Sequence, residues 1–87
     1  MTPIDLMRQR LAPLDPITLD ILDQSDLHAG HVGARSGGGH FQMTIVSLLF
    51  AGRRTMERHR MVYDALGSLM QREIHALSIT AKTPDEL

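Results

Sequence analysis

The stretch that decides the fold is FQMTIVSLLFAGRRTMERHRMVYDALGSLMQREIHALSITA, residues 41–81. Phe41, Met43 and Ile45 alternate with Gln42, Thr44 and Val46, the period of a strand with one buried face. Phe50-Ala51-Gly52 then turns the chain. From Thr55, a plausible cap, the pairs Met61/Val62, Ala65/Leu66 and Leu69/Met70 recur every four residues, which predicts a helix running to about Arg72. Gly67 falls inside it, at a cost of ~1 kcal/mol relative to Ala, and marks a kink or a close helix–sheet approach. His75, Leu77, Ile79 and Ala81 alternate with Ala76, Ser78 and Thr80 as a further strand. A strand, a helix and a second strand thus follow one another.

Upstream, Thr2-Pro3-Ile4-Asp5 reads as a capped helix start, with Ile4, Met7 and Leu11 on one face and Pro13 and Pro16 ending the helix. Ile17, Leu19 and Ile21 alternate as the first strand. Residues 24–40 read as a loop, since five of the seven glycines (Gly30, Gly33, Gly37, Gly38, Gly39) and three of the five histidines (His28, His31, His40) lie there. A loop of that length in so small a chain is usually functional or disordered. Downstream, Thr83-Pro84-Asp85-Glu86 is a second capping box, the start of a last helix cut short at residues 83–87. The order α-β-β-α-β(-α) predicts an α+β fold of two layers, a three-stranded sheet with helices covering one face.

Bulk properties set the limits. The 87 residues leave room for a single domain, 1–87, and a domain of this size buries only ~60% of its unfolded surface. No apolar run reaches the ~18 residues of a membrane span, and the amino terminus lacks the blocks of a signal peptide, so the cytoplasm is the expected compartment. The chain contains no Cys, which excludes disulfides and any thiolate ligand or nucleophile. The net charge of −1 hides an asymmetry: Asp5, Asp15, Asp20, Asp23 and Asp26 outnumber Arg8 and Arg10 over residues 1–26, whereas Arg53, Arg54, Arg58 and Arg60 crowd against Glu57. Such a basic knot suits a local anionic partner, and cations at a helix amino terminus oppose its dipole.

The chemistry-bearing candidates are few. His75 opens the last strand on the face shared with Leu77 and Ile79. It reads either as a half-buried His satisfied by backbone or as a metal ligand at a strand edge, paired with a loop His. His40 directly precedes the middle strand, and His28-x-x-His31 has a spacing metal ligands use. A zinc site would need at least three His or carboxylates converging. An iron–sulfur site would need thiolates from another molecule, although His can replace Cys on one iron. Arg53, Arg54, Arg58 and Arg60 are the nucleic-acid candidates, with only Tyr63 nearby for stacking. Gly30-His31-Val32-Gly33 matches a phosphate-clamping GxxG loop, but lies between strands rather than helices. No Ser sits in a nucleophile motif and no carboxylate pair stands on a likely cleft, so no enzyme is expected.

With these elements in order, the sequence resembles the BolA-like family. Gly39-His40-Phe41-Gln42-Met43-Thr44-Ile45-Val46-Ser47 resembles its second strand. Phe50-Ala51-Gly52 followed by Arg58-His59-Arg60-Met61-Val62-Tyr63-Asp64-Ala65-Leu66 resembles its signature helix, and Ile74-His75-Ala76-Leu77 with Thr83-Pro84 its third strand and last helix start. The resemblance spans roughly residues 17–86. It departs at Gly37-Gly38-Gly39, where well-known members carry a Ser-Glu-Ser/Thr run, and at the shortened last helix.

The resemblance implies a class II KH-like α/β sandwich. It further implies a monothiol glutaredoxin partner and a [2Fe–2S] cluster shared with that partner and glutathione, in iron–sulfur trafficking or iron regulation, with no cluster on the chain alone. The family's cluster ligands map on His75 and His40, with His28 and His31 as competing loop ligands. Some members are described as DNA-binding transcriptional regulators, which would use Arg53, Arg54, Arg58 and Arg60. Neither a membrane nor a small-molecule substrate is implied.

Overall fold

The computed structural model describes residues 2–24 and 39–87. The glycine-rich remainder, with His28, His31 and the GxxG match, lies outside the described residues. The first helix, α1 (Pro3–Leu11), begins as its sequence demands: Thr2 Oγ1 accepts from the Asp5 N–H at 3.1 Å and Asp5 Oδ2 accepts from the Thr2 N–H at 3.2 Å. That backbone hydrogen bond from Thr2 is the main cause holding the Asp5 carboxyl below its ordinary pKa. A 3₁₀ turn over Ala12–Leu14 ends at Asp15, whose φ of 50° lets the chain reverse into β1 (Thr18–Asp23).

The second strand, β2 (Gly39–Val46), takes in Gly39 and His40, which the sequence assigns to the loop. They belong to the sheet because their backbone groups are paired: the Gln24 N–H donates to His40 O at 2.7 Å and the Gly39 N–H donates to Glu73 O at 2.9 Å. A 3₁₀ turn (Leu48–Phe50) leads to α2 (Thr55–Leu66), and a second (Gly67–Gln71) leads to β3 (Ile74–Lys82). The sheet order is β1-β2-β3, with β1 antiparallel and β3 parallel to β2.

Two helix boundaries differ from the sequence reading. The cap position of α2 is Arg54, not Thr55, and its N–H is met by Glu57 Oε1 at 2.8 Å. The α-helix also stops at Leu66 rather than near Arg72. Gly67 has φ 56° and ψ −128°, a backbone conformation that side chains disfavour, so it terminates the helix instead of interrupting it. The apolar period continues through Leu69 because a 3₁₀ turn still points that side chain into the core.

Both helices cover the same face of the sheet. Met7 and Leu11 of α1 and Val62 and Leu66 of α2 are fully buried with Met43 and Ile45 of β2, and Leu19, Ile21, Leu77 and Ile79 of the flanking strands pack around them. Asp20, Leu22, Gln42, Ser78 and Thr80 occupy the uncovered face. The architecture is the expected two-layer α+β sandwich. Leu19, Ile45 and Ala81 form one row across the sheet, and an arginine closes each end of it. Arg8 Nη1 donates to Leu19 O and Arg58 Nη1 to Ala81 O, both at 3.1 Å, which occupies backbone carbonyls on the edge strands that would otherwise invite strand addition. The last residues form a single 3₁₀ turn, Pro84–Glu86. Among the described residues no helix is long and apolar enough to cross a membrane.

Candidate functional site

Among the described residues the sheet carries one irregularity. Gly39 pairs with Ile74, and the next residue, His40, pairs with Ala76, so His75 is an extra residue in β3. Such a bulge shifts the alternation by one and re-aims a side chain. Ile74 is buried, Leu77 and Ile79 pack against the core, and His75 between them is exposed. The expectation that His75 shares a face with Leu77 and Ile79 is therefore corrected: the bulge takes it off the core side.

The same bulge brings His75 beside His40. Their ring centroids are 5.1 Å apart and their planes are tilted by 50°, so the rings meet without stacking. His40 is half-buried on the uncovered face of β2, and a shallow groove of about 270 Å³ next to it is lined by Gln24, His40, Phe41, Ala76, Leu77 and Ser78. Gln24 Nε2 donates to Gln42 Oε1 at 2.9 Å along this face. Two imidazole rings lie side by side here, one from each of two strands. Among the described residues no group of three His, Asp or Glu is placed to hold a metal ion, so this pair can supply at most part of a coordination shell.

The basic knot divides in two. Arg53, Arg54 and Arg60 are exposed around the start of α2. Arg58 is folded inward: its Nε donates to Arg53 O at 3.0 Å, and its guanidinium grips Glu86 with Nη1–Oε1 at 2.6 Å and Nη2–Oε2 at 3.0 Å. This bidentate pairing raises the Arg58 pKa and lowers that of Glu86 to about 2. His59 and Arg60 lie with Met56 and Tyr63 along the outer side of α2.

Sequence reasoning passed over Ser47. It is fully buried, its hydroxyl donates to Leu14 O at 2.6 Å and accepts from the Leu49 N–H at 3.1 Å, and so it ties the turn after α1 to the turn after β2. A serine directly after an apolar strand, two residues before another N–H, was the available signal.

Comparison with known proteins follows the same lines. The family model described as BolA-like protein matches residues 11–86. The chain is 44% identical over 79 residues to the SufE-like protein 1, chloroplastic/mitochondrial, of Arabidopsis thaliana, and 43% identical over 84 residues to Protein BOLA1, chloroplastic, of the same plant. It covers 85% and 92% of itself in these matches but spans only 21% and 52% of the relatives' lengths. A third relative, the DNA-binding transcriptional regulator BolA of Escherichia coli (strain K12), is 33% identical over 86 residues, which cover 93% of this chain and 79% of the relative.

The solved structure of BolA1 from Arabidopsis thaliana superposes with a TM-score of 0.83 at 36% identity, covering 100% of this chain and 98% of that one. The BolA domain of SufE1 from the same plant gives 0.78 at 43% identity, covering 93% and 91%. The two-layer fold with both helices on one face of the sheet, the solved structures it superposes on and the matched residues converge on one assignment: this chain belongs to the BolA-like protein family.

Proposed function

We propose that this chain is an adaptor that pairs with a monothiol glutaredoxin and shares a [2Fe–2S] cluster with it, His75 and His40 providing the chain's own ligands. The observation that carries the reading is the apposition of the two rings at 5.1 Å by the β3 bulge. The donor set fits the group in a shared form only. Imidazoles replace two thiolates on one iron in known cluster types, and a chain without Cys needs its partner for the remaining sulfur ligands.

Two imidazoles bound to one ion at ~2.0–2.1 Å have ring centres about 4.5–5 Å apart, close to the observed separation. The exposed His75 leaves this corner open to a partner, and the half-buried His40 is held by the strand behind it. The cluster, when bound, supplies one-electron chemistry or a unit for transfer. The chain's part is to present two nitrogens at a fixed spacing and to seat the partner against the sheet.

The test is to mix the chain with a monothiol glutaredoxin, glutathione, iron and sulfide, and to record visible absorption and circular dichroism. A mixed complex with its own spectrum and a reduction potential above that of the glutaredoxin homodimer is expected, because imidazole leaves less negative charge on the cluster than thiolate. His75→Ala should abolish that spectrum and His40→Ala should weaken it, whereas His28→Ala and His31→Ala should change little. A His75→Ala chain giving an identical spectrum would remove the centre of this reading.

A second reading is DNA-binding regulation, supported by the name of the Escherichia coli relative and by the exposed Arg53, Arg54 and Arg60. The overall charge of −1 limits it to a local phosphate contact.

A further inference from the structure

We propose that the end of the sheet opposite the histidine corner is a self-association surface. Two copies of this chain pair there about a two-fold axis through Ile17, Leu48 and Leu49. This end is remote from the proposed cluster site: His40 lies near the start of β2 and Val46 closes it, six residues of extended chain or roughly 20 Å apart.

The centre of the surface is aliphatic. Ile17, Leu48 and Leu49 are 59%, 68% and 48% exposed, although they come from two distant parts of the chain. The backbone gathers them. The Ile17 N–H donates to Val46 O at 2.7 Å, and Ser47 Oγ accepts from the Leu49 N–H while its own hydroxyl donates to Leu14 O. The fully buried Ser47 thus fixes, from beneath, both turns that carry these side chains. A patch on so well bonded a frame needs no backbone ordering to be covered, which lowers the cost of association.

The flanking charges say what covers it. Asp15 is exposed two residues before Ile17, on the β1 side. Arg53 is exposed on the β3 side: its carbonyl accepts from Arg58 Nε at 3.0 Å, and the same Arg58 guanidinium holds Ala81 O of β3. Among the described residues neither the Asp15 carboxylate nor the Arg53 guanidinium has a hydrogen bond or an ion pair. Across the end of the sheet the order is therefore carboxylate, aliphatic centre, guanidinium. A two-fold axis through the centre sets the carboxylate of each copy against the guanidinium of the other, so the surface complements itself. A lipid surface or an apolar peptide would use the leucines and leave both charges unanswered. Stable interfaces bury about 1,200–2,000 Å² in total; three half-exposed aliphatic side chains with a charged rim supply less, so the dimer is weak and reversible.

The experiment is sedimentation equilibrium of the full chain over a concentration series reaching about 1 mM, the range in which so small an interface associates. The apparent mass should rise from one chain of 9.7 kDa toward twice that value. Leu48→Ser with Leu49→Ser should weaken association at least tenfold. Asp15→Lys and Arg53→Glu should each weaken it at least threefold, yet their equimolar mixture should associate as tightly as wild type. In the mixture one copy carries both cations and the other both carboxylates, which restores both pairs. Circular dichroism checks the folding of each variant. Asp15→Asn, which suits the φ of 50° at this position, removes the charge without straining the backbone and should also weaken the dimer.

A mixture no tighter than its separate components would overturn the proposal. So would a wild-type chain that sediments as a monomer at every concentration, or an association indifferent to the two leucines. Co-flotation with phosphatidylcholine vesicles by a chain that stays monomeric would give the patch to lipid and overturn it as well.

Discussion

Arg58 and Glu86 meet fork to fork, with Nη1–Oε1 at 2.6 Å and Nη2–Oε2 at 3.0 Å, and the same guanidinium also holds the Ala81 carbonyl. One side chain of α2 therefore fastens both the end of β3 and the turn that follows it. The Arg58 side chain is 12% exposed and that of Glu86 40%, so the pair sits at the surface margin rather than in the core.

The pairing gives a pH signature. Hydrogen bonds from Arg58, and then from the Thr83 N–H, lower the Glu86 pKa from 4.5 to about 2. A depressed carboxylate contributes stability that is complete above its unfolded value and is lost progressively as pH falls toward its folded value. The melting temperature of wild type minus that of Glu86→Gln should stay constant from neutrality to about pH 5 and shrink between there and about pH 2. A difference that is already gone at pH 4.5, or that grows on acidification, would contradict the pairing.

Gly67 reverses the sign that helix propensity alone assigns. An interior helix glycine replaced by Ala should gain ~1 kcal/mol. Here φ is 56° and ψ −128°, and an added Cβ would stand 3.3 Å from Arg10 Nη1. The arginine end can move, but the backbone conformation still opposes a side chain. Gly67→Ala should therefore destabilise the fold by roughly 1–3 kcal/mol, read as a lower urea midpoint with unchanged slope. A higher midpoint would mean that the helix continues through this position.

Ser47→Ala should cost about 1–3 kcal/mol, since it leaves the Leu14 carbonyl and the Leu49 N–H without their partner at a fully buried position. Ser47→Cys, close in volume but a weak donor, should recover only part of the loss. Chemical denaturation of the two variants checks this, and two midpoints equal to wild type would remove Ser47 from the account.

The basic knot should separate by experiment as it does in space. If the chain binds DNA, Arg54→Ala with Arg60→Ala should reduce the slope of log affinity against log salt by about two units on any sequence. Arg58→Ala should instead lower the melting temperature, because its guanidinium is committed to Glu86, Ala81 and Arg53. An Arg58→Ala chain that melts normally but loses a unit of salt slope would place Arg58 on the DNA.

The sequence by itself determined the elements and the face each one buries. Phe41, Met43 and Ile45 alternate strictly, Thr2 and Asp5 form a capping box, and Leu19 and Ile21 share a face, all because local backbone geometry couples period to burial. It also made His40 and His75 the pair to watch, through the family resemblance.

What only the tertiary structure decided depends on contacts between distant residues. Period-two alternation places His75 with Leu77, and the bulge that removes it from that face exists only in the pairing of β3 against β2. The four arginines of the Arg53–Arg60 run look equivalent in a chain, yet among the described residues Arg58 alone of them pairs with a carboxylate, 28 positions away. Gly67 and Ser47 follow the same rule. The first acts through a positive φ and the second through a carbonyl 33 positions upstream, and neither quantity is written in the neighbouring residues.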